Sequence, residues 1–221
     1  MAHPRSRARM IKAVVYLDRQ HSGKPGRKAR DTGAAADLDG DGVIGLHEQE
    51  ALLTPRYLWA CELALRAAGH TVIPISDGEY QDRFRRINSY AGTFPASTPQ
   101  IMIAAHLNAG WAGREGAGYG AIFYDHRSRS GPELASRIAR QLREVAPELN
   151  GVKCIPAKPD DWTRNAFATI QVTQPIAVCV EPFFLDCPDH TKELATAEGL
   201  ACIGRAIAAG IDNYINTCEV N

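Results

Sequence analysis

The stretch Ile-Met-Ile-Ala-Ala-His-Leu-Asn-Ala, residues 101–109, decides the fold. Its apolar part, Ile101–Ala105, is typical of a strand that is buried on both faces. His106 and Asn108 follow this run directly, and in α/β folds the groups that bind and react gather at the carboxyl ends of strands. The stretch therefore predicts a buried strand that leads into a functional site.

The same pattern recurs along the chain. Further short apolar runs predict strands at Ala13–Leu17, Thr71–Ile75, Tyr119–Tyr124, Val152–Ile155 and Ala177–Val180. Apolar residues at spacings of three and four, with Gly69 as a helix stop, predict helices over Pro55–Ala68, Glu79–Ala91, Pro132–Val145 and Thr191–Ile215. This alternation predicts an α/β fold with a largely parallel central sheet of about six strands flanked by helices. Because no repeat or linker divides the chain, we expect one catalytic domain over residues 12–221, after a basic, flexible tail at residues 1–11.

The composition excludes several classes of protein. The 221 residues contain 25 Lys and Arg against 25 Asp and Glu, so the chain lacks the positive surplus that nucleic acids and anionic membranes attract. No stretch approaches the roughly 20 apolar residues of a membrane-spanning helix. The basic residues 1–10 are not followed by the apolar core of a signal peptide, so we expect a protein made in the cytoplasm without one.

The cysteines are scattered through the chain and show no CxxC spacing. They lie at positions 61, 154, 179, 187, 202 and 218, mostly inside apolar runs. This pattern predicts buried free thiols in a reducing compartment and argues against a zinc knuckle or a disulfide framework.

Three predicted strands end in residues that suit a catalytic metal site. His21 follows the first run, His106 the third along the chain and Glu181 the last. A catalytic zinc needs about three nitrogen or oxygen ligands and one open position, which two histidines and a carboxylate would supply. Taken singly, a histidine after a strand is more often a hydrogen-bonded structural residue than a metal ligand.

Several ordered segments carry a family resemblance. They are Val14–Gly23 with Asp18 and His21, Asp31–Ala34, Arg83–Asn88, Ala104–Ala109, Gly118–Tyr124 and Pro175–Asp186. Together they resemble the zinc-dependent N-acetylmuramoyl-L-alanine amidases of the amidase 3 type over about residues 12–215. The chain departs from the family motifs at Gln20 and Ser22, which replace glycines, and at Pro182 and Asp186.

The resemblance implies a function and roles for individual residues. It implies hydrolysis of the amide bond between N-acetylmuramic acid and L-alanine in peptidoglycan, with Glu181 as the catalytic base. It also implies a third zinc ligand, beside His21 and His106, at the start of the first helix. Counting back from Gly69 favours Glu50 for this ligand, and Glu48 is the competitor. Pro55 complicates the count, because a proline at this place predicts that a new helix starts there with Thr54 as its N-cap. The residues predicted to bind substrate are Asn108, Gly118 and Arg164.

Residues 37–48 contain a second candidate metal site, and its recognition does not depend on the family resemblance. The segment Asp-Leu-Asp-Gly-Asp-Gly-Val-Ile-Gly-Leu-His-Glu matches every diagnostic position of the twelve-residue EF-hand calcium loop. The predicted Ca²⁺ ligands are the side chains of Asp37, Asp39, Asp41 and Glu48 and the carbonyl oxygen of Val43. The alternative is a solvated acidic turn, because Asp-Gly pairs are common in turns. If Glu48 binds calcium, Glu50 is free for zinc, and calcium would order the segment that presents it.

The sequence thus predicts an endolysin that acts on the cell wall after release. The expected cofactors are Zn²⁺ and Ca²⁺, and the expected form is a monomer. One alternative is a zinc carboxypeptidase-like peptidase, which would need an arginine such as Arg86, Arg114 or Arg164 to hold a terminal carboxylate. Another is a non-catalytic, calcium-dependent wall-binding protein.

Overall fold

Six strands form the sheet at the centre of the protein. A computed structural model describes residues 12–21, 32–76, 78–116 and 118–217. The strands are β1 (Val14–Arg19), β2 (Thr71–Ile75), β3 (Gln100–Ala105), β4 (Gly120–Asp125), β5 (Val152–Ala157) and β6 (Ile176–Glu181), and their order in the sheet is β2-β1-β3-β6-β4-β5. All six predicted strands are present, and the predicted α/β class is confirmed. The predicted tail and Cys218 lie outside the described residues, as do Ser22, Gly23 and Asp31 of the quoted motifs.

All neighbouring strands are parallel except β4 and β6, which are antiparallel. The carboxyl ends of β1, β3 and β6 therefore meet at one edge of the sheet, and β4 starts at that same edge. This direction of β4 places the loop before it, rather than the loop after it, beside the end of β6. Gly120 marks the contact, because a Cβ atom there would lie 2.7 Å from the carbonyl oxygen of Pro182.

Helices cover both faces of the sheet. They are α1 (Glu50–Ala67), α2 (Tyr80–Ala91), α3 (Gly131–Val145), α4 (Arg164–Ile170), α5 (Pro188–Leu194) and α6 (Ala197–Thr217). Side chains of α1, α3 and α6 form one apolar core with the sheet, and those of α2 and α4 form a second core on the opposite face. Because both faces are covered, the central strands β1, β3 and β6 are apolar along most of their length, and their polar residues lie at or near their ends.

The start of α1 differs from the sequence-based expectation. The helix begins at Glu50, so Pro55 lies inside it and Thr54 is not its N-cap. Instead, the hydroxyl of Thr54 donates a hydrogen bond to the carbonyl oxygen of Glu50 at 3.0 Å. Pro55 has no N–H for the carbonyl of Ala51, and the guanidinium of Arg19 donates to that oxygen instead. The helix can therefore begin before the proline.

The segment predicted as one helix over residues 191–215 contains a sharp break. Helices α5 and α6 meet at an angle of 87°. The hydroxyl of Thr196 accepts a hydrogen bond from the N–H of Gly199 at 3.0 Å, which caps the start of α6. Among the described residues, no single helix has the length and apolar character to cross a bilayer, and this bent pair meets those criteria only when its two helices are combined.

The described cysteines are all free thiols, as predicted. Cys61, Cys179 and Cys187 are buried, whereas Cys202 is partly exposed. Cys154 on the edge strand β5 is exposed, so the prediction of burial is wrong for this residue.

Candidate metal centre and active site

A cleft of about 730 Å³ opens at the edge of the sheet where β1, β3 and β6 end. The end of each strand contributes one predicted site residue, as expected for a sheet whose parallel strands finish together. Helix α1 contributes a further one from its first residue. The predicted site residues that line the cleft are His21, Glu50, His106, Asn108 and Glu181.

Three of these side chains converge on one point. Nε2 of His21 lies 3.1 Å from Nδ1 of His106, and this nitrogen lies 3.0 Å from Oε1 of Glu50. The remaining distance, from Nε2 of His21 to Oε1 of Glu50, is 3.5 Å. Tetrahedral zinc with bonds of about 2.0–2.1 Å holds its nitrogen and oxygen ligands roughly 3.3 Å apart. The three atoms therefore fit three corners of a zinc tetrahedron.

Glu50 is held rigidly by the backbone around it. Its side chain is only 2% exposed, and its two oxygens accept hydrogen bonds from the N–H groups of Ala34 at 2.7 Å and Leu107 at 2.8 Å. Burial alone would raise the pKa of Glu50, but hydrogen bonding and the charge of His106 lower it below its ordinary value. Gly33 lies so close that a Cβ atom there would be 2.3 Å from Oε2 of Glu50. The carboxylate is thus fixed and ionised.

The backbone that carries His106 is fixed from two sides. Its N–H donates to the carbonyl oxygen of Val180 on β6 at 3.0 Å. Its carbonyl oxygen accepts a hydrogen bond from the buried hydroxyl of Tyr57 on α1, also at 3.0 Å. Helix α6 can pack closely against α1 at Gly204, where a Cβ atom would lie 2.1 Å from the carbonyl oxygen of Tyr57. The close packing of α1 and α6 therefore helps to position His106.

Glu181 is the last residue of β6 and lines the same cleft. Burial raises its pKa, and this effect exceeds the opposing effect of nearby His106. A carboxyl group with a raised pKa can take up and release a proton more easily near neutral pH. Glu181 therefore has the position and the electrostatic surroundings of a general base.

One protein family shares the sequence pattern of this chain. The sequence profile of the amidase 3 family, described as N-acetylmuramoyl-L-alanine amidase, matches residues 17–213. The chain belongs to this amidase family. Membership supports the hydrolysis of amide bonds in peptidoglycan, and the converging site residues lie within the matched range. No curated protein sequence matches the chain.

Solved structures share the fold. Cwp6 from Clostridium difficile is 23% identical with a TM-score of 0.69, and the match covers 91% of this chain but only 29% of Cwp6. The N-acetylmuramoyl-L-alanine amidase AmiC2 of Nostoc punctiforme is 18% identical with a TM-score of 0.68, covering 91% of this chain and 96% of AmiC2. A metallo-carboxypeptidase from Burkholderia cenocepacia is 10% identical with a TM-score of 0.52, covering 94% of this chain and 58% of its own. At these identities the likeness concerns the fold alone.

Two predicted substrate-binding residues of this amidase family member lie away from the cleft lining. Gly118 is buried against His190, where a Cβ atom would lie 2.7 Å from the imidazole ring. Arg164 is exposed at the start of α4. The neighbouring Asn165 lines the cleft instead, and sequence reasoning missed it because α4 was not predicted. Other lining residues that were not predicted are Tyr80, Ala168 and Thr169.

The acidic loop at residues 37–48 projects beside this centre. Carboxylate oxygens of Asp37, Asp39 and Asp41 lie within 4.8 Å of one another, and a second group contains Asp39, His47 and Glu48. Glu48 is fully buried, and its carboxylate accepts hydrogen bonds from three backbone N–H groups of the loop, those of Leu38, Asp39 and Gly45. The structure thus gathers the three aspartates and brings Glu48 close to one of them.

The base of the acidic loop is joined to Glu50 of the candidate metal centre. Ala35 and Gln49 form an antiparallel bridge, and the N–H of Ala36 donates to the carbonyl oxygen of Glu48 at 3.4 Å. In the same short ladder, the N–H of Glu50 donates to the carbonyl oxygen of Ala34 at 2.8 Å. One ladder therefore closes the loop and fixes Glu50.

Proposed function

We propose that the protein is a zinc-dependent hydrolase of the amide bond between N-acetylmuramic acid and L-alanine in peptidoglycan. The observation that carries the proposal is the convergence of His21, Glu50 and His106 beside Glu181. The ligand atoms lie 3.0–3.5 Å apart, which suits tetrahedral zinc. Family membership supplies the bond that is cleaved.

His21, Glu50 and His106 would hold the metal. The chemistry that zinc supplies when bound is polarisation of the amide carbonyl and activation of water. Glu181 takes a proton from the attacking water at a carboxylate oxygen and delivers it to the nitrogen of the leaving L-alanine. A carbon–oxygen bond forms at the lactyl carbonyl carbon, the carbon–nitrogen bond breaks, and the products are a carboxylic acid and a free amine.

The acidic loop would bind Ca²⁺ in a structural role. The proposed ligands remain the side chains of Asp37, Asp39, Asp41 and Glu48 and the carbonyl of Val43. The twelve-residue pattern and the gathering of the three aspartates support this assignment. Oxygen atoms at these positions are the hard ligands that calcium prefers.

The biological role that we propose is that of an endolysin. It would be made in the cytoplasm, act as a monomer and reach the cell wall after release. Added to intact wall material, such an enzyme lowers the turbidity of the suspension without any partner protein. A turbidity measurement on purified walls therefore tests the lytic activity that this role requires.

The carboxypeptidase alternative finds little support among the arginines that the structure describes. Arg86, Arg114 and Arg164 do not lie among the described residues that line the cleft. Arg83 does line it, but its guanidinium forms an ion pair with Asp18 and donates a hydrogen bond to the carbonyl oxygen of Arg19. The structure therefore offers less support for recognition of a terminal carboxylate.

Removal and return of the metal tests the proposal. Protein stripped of metal should leave purified peptidoglycan intact, and added Zn²⁺ should restore hydrolysis. His106→Ala should remain inactive after zinc is added, since it lacks one ligand. Hydrolysis that is unaffected by complete metal removal would contradict the zinc assignment.

A further inference from the structure

The turn after β1 presents His21 in an unusual backbone conformation. His21 has φ of +46°, and it is the only non-glycine residue with positive φ in the part of the chain that the structure describes. Such conformations are uncommon for residues with a Cβ atom and persist where the surroundings hold them in place. A ligand in such a turn therefore needs support from neighbouring residues.

Gln20, directly before this residue, has a buried side chain with polar contacts. It is 2% exposed, and its amide nitrogen donates to the carboxylate of Asp18. Its amide oxygen lies 3.4 Å from a guanidinium nitrogen of Arg83, within hydrogen-bond range. The motif that the chain resembles has glycine here, which could make neither contact. Because Gln20 does not itself adopt positive φ, its own backbone does not require glycine.

The partners of Gln20 form a buried ion pair that spans two elements. Nε of Arg83 on α2 lies 3.3 Å from Oδ1 of Asp18 on β1, and both residues are buried. Another guanidinium nitrogen of Arg83 donates to the carbonyl oxygen of Arg19 at 2.9 Å. Arg83 thus contacts the last two residues of β1, directly before the turn. Buried charges of this kind need such additional hydrogen bonds to satisfy their remaining polar atoms.

We propose that Gln20 is a positioning residue for the zinc ligand His21. Through Asp18 and Arg83, it fixes the turn against β1 and α2, so that the imidazole of His21 is held toward Glu50 and His106. This inference rests on the proposed zinc site and deepens it. The side chain of Gln20, which departs from the family motif, supports the turn in a way that glycine could not. Replacement of the outer-shell partners of metal ligands typically changes metal affinity or activity by about 10–100-fold, and we expect an effect of this order at Gln20.

Two matched substitutions test the role of Gln20. Gln20→Met keeps the shape of the side chain and removes its hydrogen bonds. Gln100→Met does the same at the opposite edge of the sheet, where Gln100 accepts from the hydroxyl of Tyr16 at 2.8 Å and donates to the carbonyl of Ala91 at 3.1 Å. Both variants lose two hydrogen bonds, but only the first lies beside the metal ligands.

The measurements are the zinc dissociation constant, from competition with a chromogenic chelator, and the visible absorption spectrum of the Co²⁺-loaded protein. Gln20→Met should bind zinc about 10–100-fold more weakly and show an altered cobalt spectrum, since the ligand geometry changes. Gln100→Met should match the wild type in both, even where thermal unfolding shows a similar loss of stability. Where Gln20→Met does not fold, Gln20→Gly, which introduces no new side chain, should show the same weaker binding.

The outcomes separate this inference from the proposed function. Wild-type zinc affinity and an unchanged cobalt spectrum in the Gln20 variants would overturn the positioning role and leave the amidase proposal intact. Failure of the wild-type protein itself to bind zinc would overturn the proposed zinc site and the positioning role together.

Discussion

The carboxylates of Glu48 and Glu50, two residues apart in the chain, serve different sites. Glu48 accepts hydrogen bonds from the backbone of the acidic loop, whereas Glu50 lies against His21 and His106. A 3₁₀ turn ends at Glu48 and α1 begins at Glu50, so the chain changes direction between them. The two residues are nevertheless joined through the ladder that closes the loop. An ion in one site should therefore influence the other.

Calcium should strengthen zinc binding. Asp39→Ala, or removal of calcium from the wild type, should weaken zinc affinity by about tenfold, because the loop orders the ladder that fixes Glu50 only when calcium is bound. Zinc titrations of metal-free protein with and without calcium measure the effect. Asp82→Ala, which removes an exposed carboxylate on α2, should leave zinc affinity unchanged. Equal affinities for Asp39→Ala and for the calcium-free and calcium-loaded wild type would refute the coupling.

Replacement of Glu181 should separate catalysis from metal binding. Glu181→Gln keeps the size of the side chain but cannot take up the proton of water. We expect kcat to fall by about 10²–10⁴-fold, with zinc content and thermal unfolding close to those of the wild type. Metal analysis of the same sample provides the control. Retention of wild-type kcat would exclude Glu181 as the general base.

Gly33 should be essential for the geometry of Glu50. It has φ of +69°, and a Cβ atom there would lie 2.3 Å from the Glu50 carboxylate. We expect Gly33→Ala to lose about 1–3 kcal/mol of unfolding free energy and to bind zinc more weakly. Gly151→Ala is the matched control, because Gly151 has φ of +81° with no atom within 4 Å of the added Cβ. Equal zinc affinities in the two variants would show that Glu50 does not need this close contact.

Asp186 should stabilise the loop after β3 in a pH-dependent manner. Burial alone would raise its pKa, but the N–H groups of Ala112, Trp111 and Gly110 donate to the carboxylate and lower it overall. A lowered folded pKa means stability that is present above the unfolded value, about 3.9, and lost as the pH falls through the folded value. Asp186→Asn should therefore cost about 2 kcal/mol at pH 7 and much less near the low folded pKa.

Urea unfolding of both proteins between pH 7 and pH 2.5 measures this difference. Asp82→Asn, at an exposed position, should show little change across the same range. A cost for Asp186→Asn that stays constant with pH would show that the negative charge contributes nothing to the effect.

Much of the fold could be predicted because its strands are short and apolar and its central strands are buried on both faces. Ile101–Ala105 and the other apolar runs can be recognised from the sequence alone. His21 and His106, which follow two of these runs, indicate the edge of the sheet where the site lies. The local pattern placed the start of α1 at Pro55 rather than at Glu50, because it does not show that Arg19, distant in sequence, donates to the carbonyl oxygen of Ala51 that Pro55 leaves without a helical partner. Helix α4 has only seven residues and was missed, and with it the cleft residue Asn165.

The site was predictable where a side chain follows a strand directly. Glu50 required a family resemblance, which implies a glutamate at the start of the first helix, together with the calcium-loop pattern, which assigns Glu48 to the other site. Gly118 was a plausible loop glycine, and the reversed direction of β4 does bring its loop beside the end of β6, but Gly118 packs against His190 and does not line the cleft. The role of Gln20 depends on Arg83 from another helix, so a sequence pattern shows only that a glycine is absent.

Product analysis tests the central claim most directly. Mass spectrometry of the material released from purified peptidoglycan by the zinc- and calcium-loaded protein identifies the bond that is cleaved, with Glu181→Ala as the parallel sample. We predict intact stem peptides with a free L-alanine amine from the wild type and none from the variant. Release of single amino acids would indicate a peptidase instead, and binding without any release would indicate a non-catalytic wall-binding protein.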